Sequence, residues 1–118
     1  MNWYMAKIVF RIVCGEGDHT PQFDEQLRLI GASDEEEAFA KAREVGEKNE
    51  ESFLNQKNQV VHWQFINISE LYRLSLIDGA EMYSRVQETE HAASFIDAIN
   101  KKADHTRSAF SKKLSQAF

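Results

Sequence analysis

Residues 3–14, WYMAKIVFRIVC, alternate two sets of side chains along one extended segment. The even-numbered set is apolar apart from the hydroxyl of Tyr4, whereas the odd-numbered set mixes apolar residues with Lys7 and Arg11. A period of two with many β-branched residues is typical of a strand with one face in a core. The odd-numbered face is too apolar to lie fully in water, so we expect the last helix or another subunit to cover half of it.

A second strand and a helix are predicted to follow. Residues 15–22, GEGDHTPQ, hold glycines, an aspartate and the single proline, which favour a loop. Residues 23–30 alternate again and predict a strand antiparallel to the first, so residues 1–30 form a hairpin. A helix is predicted over residues 33–54, with Ser33 as its N-cap and Glu36 at the capping-box position.

The second half predicts two more strands and a long helix. Residues 59–68, QVVHWQFINI, predict the third strand, and Ser69-Glu70 predicts a break or bulge. After the turn dipeptide Asp78-Gly79, residues 80–87 predict the fourth strand, so that strands occupy the region 59–87. The last helix is predicted over residues 89–116, with an apolar stripe formed by Ala92, Phe95, Ile96, Ile99, Ala103, Phe110 and Leu114.

The order β-β-α-β-β-α predicts an α+β two-layer sandwich, in which two helices pack on a mostly antiparallel four-stranded sheet. A length of 118 residues, with no linker or repeat, predicts a single domain over residues 1–118. The apolar N-terminal stretch is interrupted by Lys7 and Arg11, so we read it as a strand rather than a secretory signal. With a single cysteine and no membrane span, the predicted location is the cytoplasm.

The net charge of −5 is unevenly distributed. Residues 101–118 hold five basic side chains, including Lys112 and Lys113, against Asp104 alone, a local net charge of +4 that leaves −9 on the rest. An acidic body disfavours broad nucleic-acid binding, because affinity for polyphosphates rises with the number of phosphates neutralised. The simplest interpretation of the basic segment is a solvated helix face.

Four short motifs stand out along the chain: the Trp3-Tyr4 start, Glu37-Ala38-Phe39 in the first helix, Trp63-x-Phe65 in the third strand and Glu81-x-Tyr83-Ser84 beyond it. Together they resemble a known family of small bacterial proteins, the domain of unknown function 4288 family. The similarity spans residues 2–87, and the last helix matches least well. The resemblance implies a bacterial source and one small domain, and it implies no reaction, so no catalytic residue is carried over.

No catalytic or metal-binding pattern is present, and we predict no cofactor. The histidines lack the H-x-x-x-H spacing that places two ligands on one helical face. Cys14, with His19 five residues on, is predicted to be a buried structural cysteine, because free cysteine is commonly buried. The acidic run 34–37 fits a helix start better than a calcium loop, and GEGDH leads into a strand rather than the helix that a phosphate loop requires.

Aromatic and charged residues remain as a candidate binding surface, since aromatics and arginine are enriched at the energetic centres of interfaces. The alternative is that these aromatics belong to the core and the charges to its rim. The candidate set is Trp3, Arg11, His62, Tyr72, Arg73, Glu81, Tyr83 and Arg85.

Three functions from different classes stay open. The leading hypothesis is a non-enzymatic protein-interaction module that binds itself or another protein, with neutralisation of a toxin-like partner as one version. The second is nucleic-acid or nucleotide binding through the basic last helix and exposed sheet aromatics. The third is a small enzyme with an active site at a subunit interface, using residues such as His62, Tyr83, Arg85 or Glu81.

Overall fold

A four-stranded antiparallel sheet with one helix on its face forms the first part of the chain. The computed structural model describes the backbone of residues 1–117 and the side chains of residues 1–111. Lys112, Lys113 and Leu114, named above in the basic segment and the apolar stripe, therefore lie outside the described side chains. The chain divides into two units, which begin at Met1 and at Ser84.

The predicted α+β fold and its element order are confirmed. The first unit contains β1 (Asn2–Cys14), β2 (Gln22–Ala32), α1 (Glu35–Lys48), β3 (Glu51–Leu54) and β4 (Val60–Leu74). The strands lie in the order β2-β1-β4-β3, and every neighbouring pair is antiparallel. β1 and β4 are thus the central strands, and β2 and β3 are the edges.

The core lies between the sheet and α1. The even-numbered residues of β1 from Tyr4 to Phe10 are almost fully buried there, as predicted from their period. Ala38 and Ala42 of α1 are completely buried, because a helix that presents alanines can approach a sheet closely. At Gly46 the approach is closer still, since a Cβ atom on this residue would overlap the ring of Phe65 on β4.

The first helix is shorter than predicted, because residues 51–54 form β3 instead of continuing α1. Asn49 caps the helix, and its Nδ2 donates to the carbonyl of Val45 at 2.7 Å. A turn with Asn58 at φ 59° then joins β3 to β4. Phe53 stacks on Trp63 with ring centroids 5.8 Å apart, a contact between strands that periodicity within one segment does not reveal.

Residues 80–87, predicted as a strand, have no regular secondary structure. The turn at Asp78-Gly79 is present, and Gly79 has a φ of 81°. The chain does not return as a strand beside β4. Tyr83 instead packs its ring edge-on against Tyr72, at 5.9 Å between centroids, so the segment is held by a side-chain contact rather than a ladder.

Two local details qualify the predicted boundaries. The N-cap is Asp34 rather than Ser33, because Asp34 Oδ1 accepts a hydrogen bond from the Glu37 backbone N–H at 2.8 Å. The predicted bulge at Ser69 is confirmed by a register shift between β1 and β4, and a second shift lies at Ile66.

The second unit contains α2 (Ala92–Ala117), which agrees closely with the predicted last helix. Thr89 Oγ1 accepts a hydrogen bond from the His91 backbone N–H at 3.2 Å, just before the first turn. Lys101 forms an i,i+4 ion pair with Asp97 at 3.0 Å. Both partners are largely exposed, so this pair supports the helix only weakly.

Candidate interaction surface

The sheet face turned away from α1, here called the far face, is built from the odd-numbered residues of β1 and β2. Cross-strand pairing sets this arrangement, because Lys7 lies opposite Leu27 on one side and opposite Glu70 on the other. Residues directly opposite each other in an antiparallel pair share one face. The far face therefore includes Trp3, Met5, Lys7, Val9, Arg11, Phe23, Glu25, Leu27, Leu29, Glu70 and Tyr72.

β2 presents its apolar side chains on the far face, away from the core. Phe23, Leu27 and Leu29 are 57%, 50% and 56% exposed. Only at Ile30, near the end of the strand, does β2 contribute a large apolar side chain to the core. An apolar strip of this kind on a strand that is open to solvent is a feature of interaction sites.

On the side of α1, β2 instead carries a ladder of polar residues. Gln26 Nε2 donates to Asp24 Oδ2 at 2.7 Å, and Arg28 Nη2 donates to Gln26 Oε1 at 2.8 Å. Trp63 Nε1, on β4, also donates to Asp24 Oδ2 at 3.2 Å. These bonds satisfy half-buried polar groups at the rim of the core, which explains why the strand tolerates them there.

A charged cluster occupies the middle of the far face. Lys7 Nζ lies 2.6 Å from Glu70 Oε2, and the Tyr72 hydroxyl donates to Glu70 Oε1 at 2.9 Å. The ring of Tyr83 lies beside the same ammonium group, 5.4 Å from Nζ to the ring centroid. The Lys7 and Glu70 side chains are only 18% and 29% exposed, so the strands and the two tyrosines restrict water around the pair.

The cluster shifts three ionisation equilibria. The hydrogen bond to Glu70 raises the pKa of Lys7 above its usual 10.5, although partial desolvation opposes this. Hydrogen bonds from Lys7 and then Tyr72 lower the pKa of Glu70 below 4.5. The Tyr72 hydroxyl donates to the same carboxylate, which raises the pKa of Tyr72 above 10.0. Each shift favours the protonation state that holds the cluster together.

Stability should therefore depend on pH through this pair. The Lys7 contribution is complete below pH 10.5 and is lost as pH rises through its raised folded-state pKa. The Glu70 contribution is complete above pH 4.5 and is lost as pH falls through its lowered folded-state pKa. We expect the melting temperature of the wild type to exceed that of Lys7→Met between these limits, and the difference to shrink on both flanks.

The matched control is Arg11→Met, on the same strand and face. Arg11 is exposed and forms no ion pair with any residue that the structure describes. The difference in melting temperature between the wild type and Arg11→Met should not change with pH. A Lys7→Met effect that is equally flat would contradict the role given to the ion pair.

Comparison with known proteins identifies the family. A family model described as a domain of unknown function, DUF4288, matches residues 3–84. The chain belongs to this family. The search of curated proteins found no match. The search of solved structures found none either. The matched region nearly coincides with the first unit, so the DUF4288 domain holds the whole sheet and the far face, and α2 follows it.

Five of the predicted surface residues lie on the far face of the DUF4288 domain or against it. Trp3 is 38% exposed, and its ring packs over Gly31, where a Cβ atom would lie 3.1 Å from the Trp3 ring. Arg11 is exposed on the same strand, and Tyr72 and Tyr83 contact each other beside Lys7. Tyr72 and Tyr83 therefore lie beside the charged cluster in the middle of the far face, whereas Trp3 and Arg11 lie toward opposite ends of β1.

The fifth, His62, lies at the border of the far face, and the other three predicted residues lie elsewhere. His62 is opposite Val13, an odd-numbered residue of β1, and its Nδ1 is 2.7 Å from the Ser52 hydroxyl. Arg73 lies opposite Tyr4, hence on the other face from Tyr72, and donates to Asn2 Oδ1 at 3.1 Å. Glu81 is exposed in the irregular segment, and Arg85 is exposed in the second unit.

Sequence reasoning missed the most exposed part of the surface, which is the apolar strip of β2, and it missed the pairing of Lys7 with Glu70. The signal for the strip was present, because Phe23, Leu27 and Leu29 alternate with polar residues. What was lacking was the register with β1, which decides that the apolar set of β2 shares a face with Lys7 rather than with the core.

A polar cleft surrounds Cys14 at the end of β1. Its volume is about 710 Å³, and loop residues 15–20 contribute much of its wall. Cys14 is half-buried rather than fully buried as predicted, and its Sγ lies 3.3 Å from Gln59 Oε1 and 3.4 Å from Asn55 Nδ2. The free thiol therefore sits in a polar environment.

His19 cannot serve as the base for this thiol in the observed arrangement. Its Nε2 accepts a hydrogen bond from the Cys14 backbone N–H at 2.9 Å, and its Nδ1 lies 2.9 Å from the carbonyl oxygen of Thr20. Since the carbonyl can only accept and the amide can only donate, both ring nitrogens are committed to the backbone. The histidine therefore shapes the loop.

Two features of the described residues concern metal ions and membranes. Within the part of the chain that the structure describes, no group of three or more His, Cys, Asp or Glu side chains is placed to share a metal ion. No helix in residues 1–117 combines the length and apolar character needed to cross a bilayer.

Proposed function

We propose that this DUF4288 domain is a non-enzymatic protein-interaction module that binds a protein partner across the far face. The single observation that carries the proposal is the exposed apolar strip Phe23, Leu27 and Leu29, on the face of the sheet opposite α1. Burial of apolar surface is the main favourable term in protein association. Because β2 turns its apolar side chains away from the core, a partner that covers them gains the free energy of burying this surface.

The composition of the rest of the far face fits the same function. Trp3 and Tyr72 are each 38% exposed, and large aromatic side chains contribute much of the energy of known interfaces. The charge is balanced there, since Lys7 pairs with Glu70 while Arg11 and Glu25 carry opposite charges. Residues 1–83 as a whole hold eight Lys and Arg against fifteen Asp and Glu, a net charge of −7. The far face is therefore without net charge and mostly apolar, on an acidic domain.

The test is capture of partners from a lysate of the source organism by the immobilised full chain. Leu27→Lys introduces a charge at the centre of the strip and is expected to weaken binding of a captured protein at least about tenfold, as for a central interface residue. Phe39→Lys is the matched control, because Phe39 is 39% exposed on α1, on the other side of the sheet. It should bind like the wild type.

Equal binding by all three proteins would refute the proposal, and so would the absence of any specifically captured protein. Circular dichroism and thermal unfolding of each variant establish that the fold is intact before binding is compared. Leu27 is half exposed, so the lysine has room to extend into solvent and the fold should persist.

A further inference from the structure

β2 is a long, regular strand at an open edge of the sheet. It pairs with β1 without a register shift from Asn2 opposite Ala32 to Ile12 opposite Gln22, and it stands first in the strand order. Alternate residues of this strand turn their backbone N–H and C=O groups to the open side, and the Gly31 carbonyl near its end accepts a hydrogen bond from Lys41 Nζ at 2.7 Å. An edge of this kind is a template for pairing with another strand unless the protein blocks it.

The opposite side of the sheet is blocked in three ways. β3, the other edge strand, has only four residues. The part of β4 beyond β3 carries both register shifts, and bulges interrupt strand pairing. In addition, the Phe65 backbone N–H donates to Glu50 Oε1 at 2.8 Å, so a side chain already occupies that backbone group. Such devices are typical of edges protected from association, and residues 22–32 show neither a bulge nor a proline.

The side chains of β2 are arranged so that the strand complements itself. Asp24, Gln26 and Arg28 form a hydrogen-bonded ladder with an anion at one end, an amide in the middle and a cation at the other end. When an antiparallel copy is placed opposite with Gln26 at the centre, each Asp24 faces an Arg28. Opposite charges directly across an antiparallel pair stabilise it.

From this pattern we propose that a second copy of the chain binds the β2 edge. The two β2 strands pair antiparallel about a twofold axis at Gln26 and join the two sheets into one. Residues 22–30 of one copy then lie opposite residues 30–22 of the other. The inference rests on the proposed function, that of an interaction module, and names a second copy as one of its partners.

Other registers of the two β2 strands have less favourable charge contacts than the one centred on Gln26. If the α1 faces of both copies are to stay on one side, the register can change only in steps that keep even-numbered residues opposite each other. One such step places Glu25 opposite Glu25, and two steps in that direction place Asp24 opposite Asp24. In the other direction, one step leaves Asp24 facing the apolar Ile30, and two steps place Arg28 opposite Arg28. The register centred on Gln26 forms both charge pairs and avoids every like-charge contact.

The same register extends the far face across both copies. Phe23 of each copy lies opposite Leu29 of the other, and both side chains are more than half exposed in the single chain. Their contact buries part of the apolar strip and leaves Leu27 beside Glu25 at the centre. The dimer therefore presents a larger far face built from two copies.

Disulfide cross-linking of the full chain tests the register directly. In a Cys14→Ser background, Gln26→Cys would face its own copy across the axis, with Cα atoms about 4.5–5.5 Å apart. Disulfides span Cα separations of roughly 4.4–6.8 Å, so a covalent dimer is expected under mild oxidation. Gln22→Cys is the matched control on the same strand. Its two copies would lie roughly 26 Å apart along the strands and should not cross-link.

The second test exchanges the charges of Asp24 and Arg28, at the two ends of the ladder. Light scattering over a wide concentration range measures how tightly each variant dimerises. Arg28→Asp should weaken the dimer roughly tenfold, because it converts two attractive contacts into two repulsive ones. The double variant Asp24→Arg with Arg28→Asp should restore it. Circular dichroism checks the fold, since Asp24 also accepts a hydrogen bond from Trp63. If the double variant fails to fold, the cross-linking result decides.

A wild-type chain that remains monomeric at every concentration, together with no cross-link through Gln26→Cys, would overturn the inference. Equal cross-linking of Gln22→Cys would also overturn the inference, because the two strands would then pair in a different register from the one centred on Gln26. The Leu27→Lys variant separates this result from the proposed function. It places a lysine opposite Glu25 of the second copy, so cross-linking through Gln26→Cys should persist while capture by the far face is lost.

Discussion

The substitution Gly46→Leu is expected to lower the free energy of unfolding by about 3 kcal/mol, the upper end of what overpacking usually costs. Gly46 is buried in the last turns of α1, and even a Cβ atom there would overlap the ring of Phe65. That ring cannot move freely, because it packs edge-on against the buried Phe10 with centroids 6.0 Å apart. The helix must therefore move away from the sheet or the ring must leave the core.

Urea unfolding followed by circular dichroism measures this effect. Ala40→Leu is the matched control, because Ala40 is exposed on the same helix and alanine and leucine have similar helix propensities. It should change the free energy of unfolding by less than about 0.5 kcal/mol. If Gly46→Leu were as mild as this control, the close packing of α1 on β4 would not exist in solution.

The substitution Tyr4→Phe is expected to raise the free energy of unfolding by about 1 kcal/mol. Tyr4 is completely buried on the core face of β1, and its hydroxyl has no hydrogen-bond partner among the residues that the structure describes. A buried hydroxyl without a partner loses its hydrogen bonds to water on folding and gains nothing in exchange. Phenylalanine keeps the ring and its packing and removes that cost.

Tyr72→Phe provides a control with the opposite sign. Tyr72 is 38% exposed and its hydroxyl donates to Glu70 Oε1 at 2.9 Å, so its removal takes a donor from the Lys7–Glu70 pair and should lower stability. The comparison uses thermal and urea unfolding of both variants. A destabilising Tyr4→Phe would show that the hydroxyl has a partner in solution, such as an ordered water.

Strands with strong periodicity were predictable because their pattern reports burial directly. Apart from the Tyr4 hydroxyl, one face of β1 is apolar, and the structure buries that face from Tyr4 to Phe10. The helix start at residues 33–37 was predictable for a similar reason, since capping uses residues that are neighbours in sequence. Its N-cap was predicted one residue early, because Ser33 and Asp34 are both good caps.

The errors fall where distant residues decide the local structure. Residues 51–54 become β3 because β4 lies beside them and Phe53 can stack on Trp63. Residues 80–87 resemble a strand in composition but have no ladder partner, and Tyr83 packs on Tyr72 instead. In both cases the decisive contact joins segments at least ten residues apart, which a local pattern does not encode.

By itself, the sequence determined the α+β class, the family and the buried face of β1, because each of these is carried by local period or motif. Only the tertiary structure decided which face β2 turns to solvent and that Lys7 meets Glu70. The physical reason is that a strand side chain alternates with a period of two, so a shift of one residue in pairing exchanges the two faces. The pairing of β1 with its two neighbours makes that choice, and it creates the surface proposed to bind a partner.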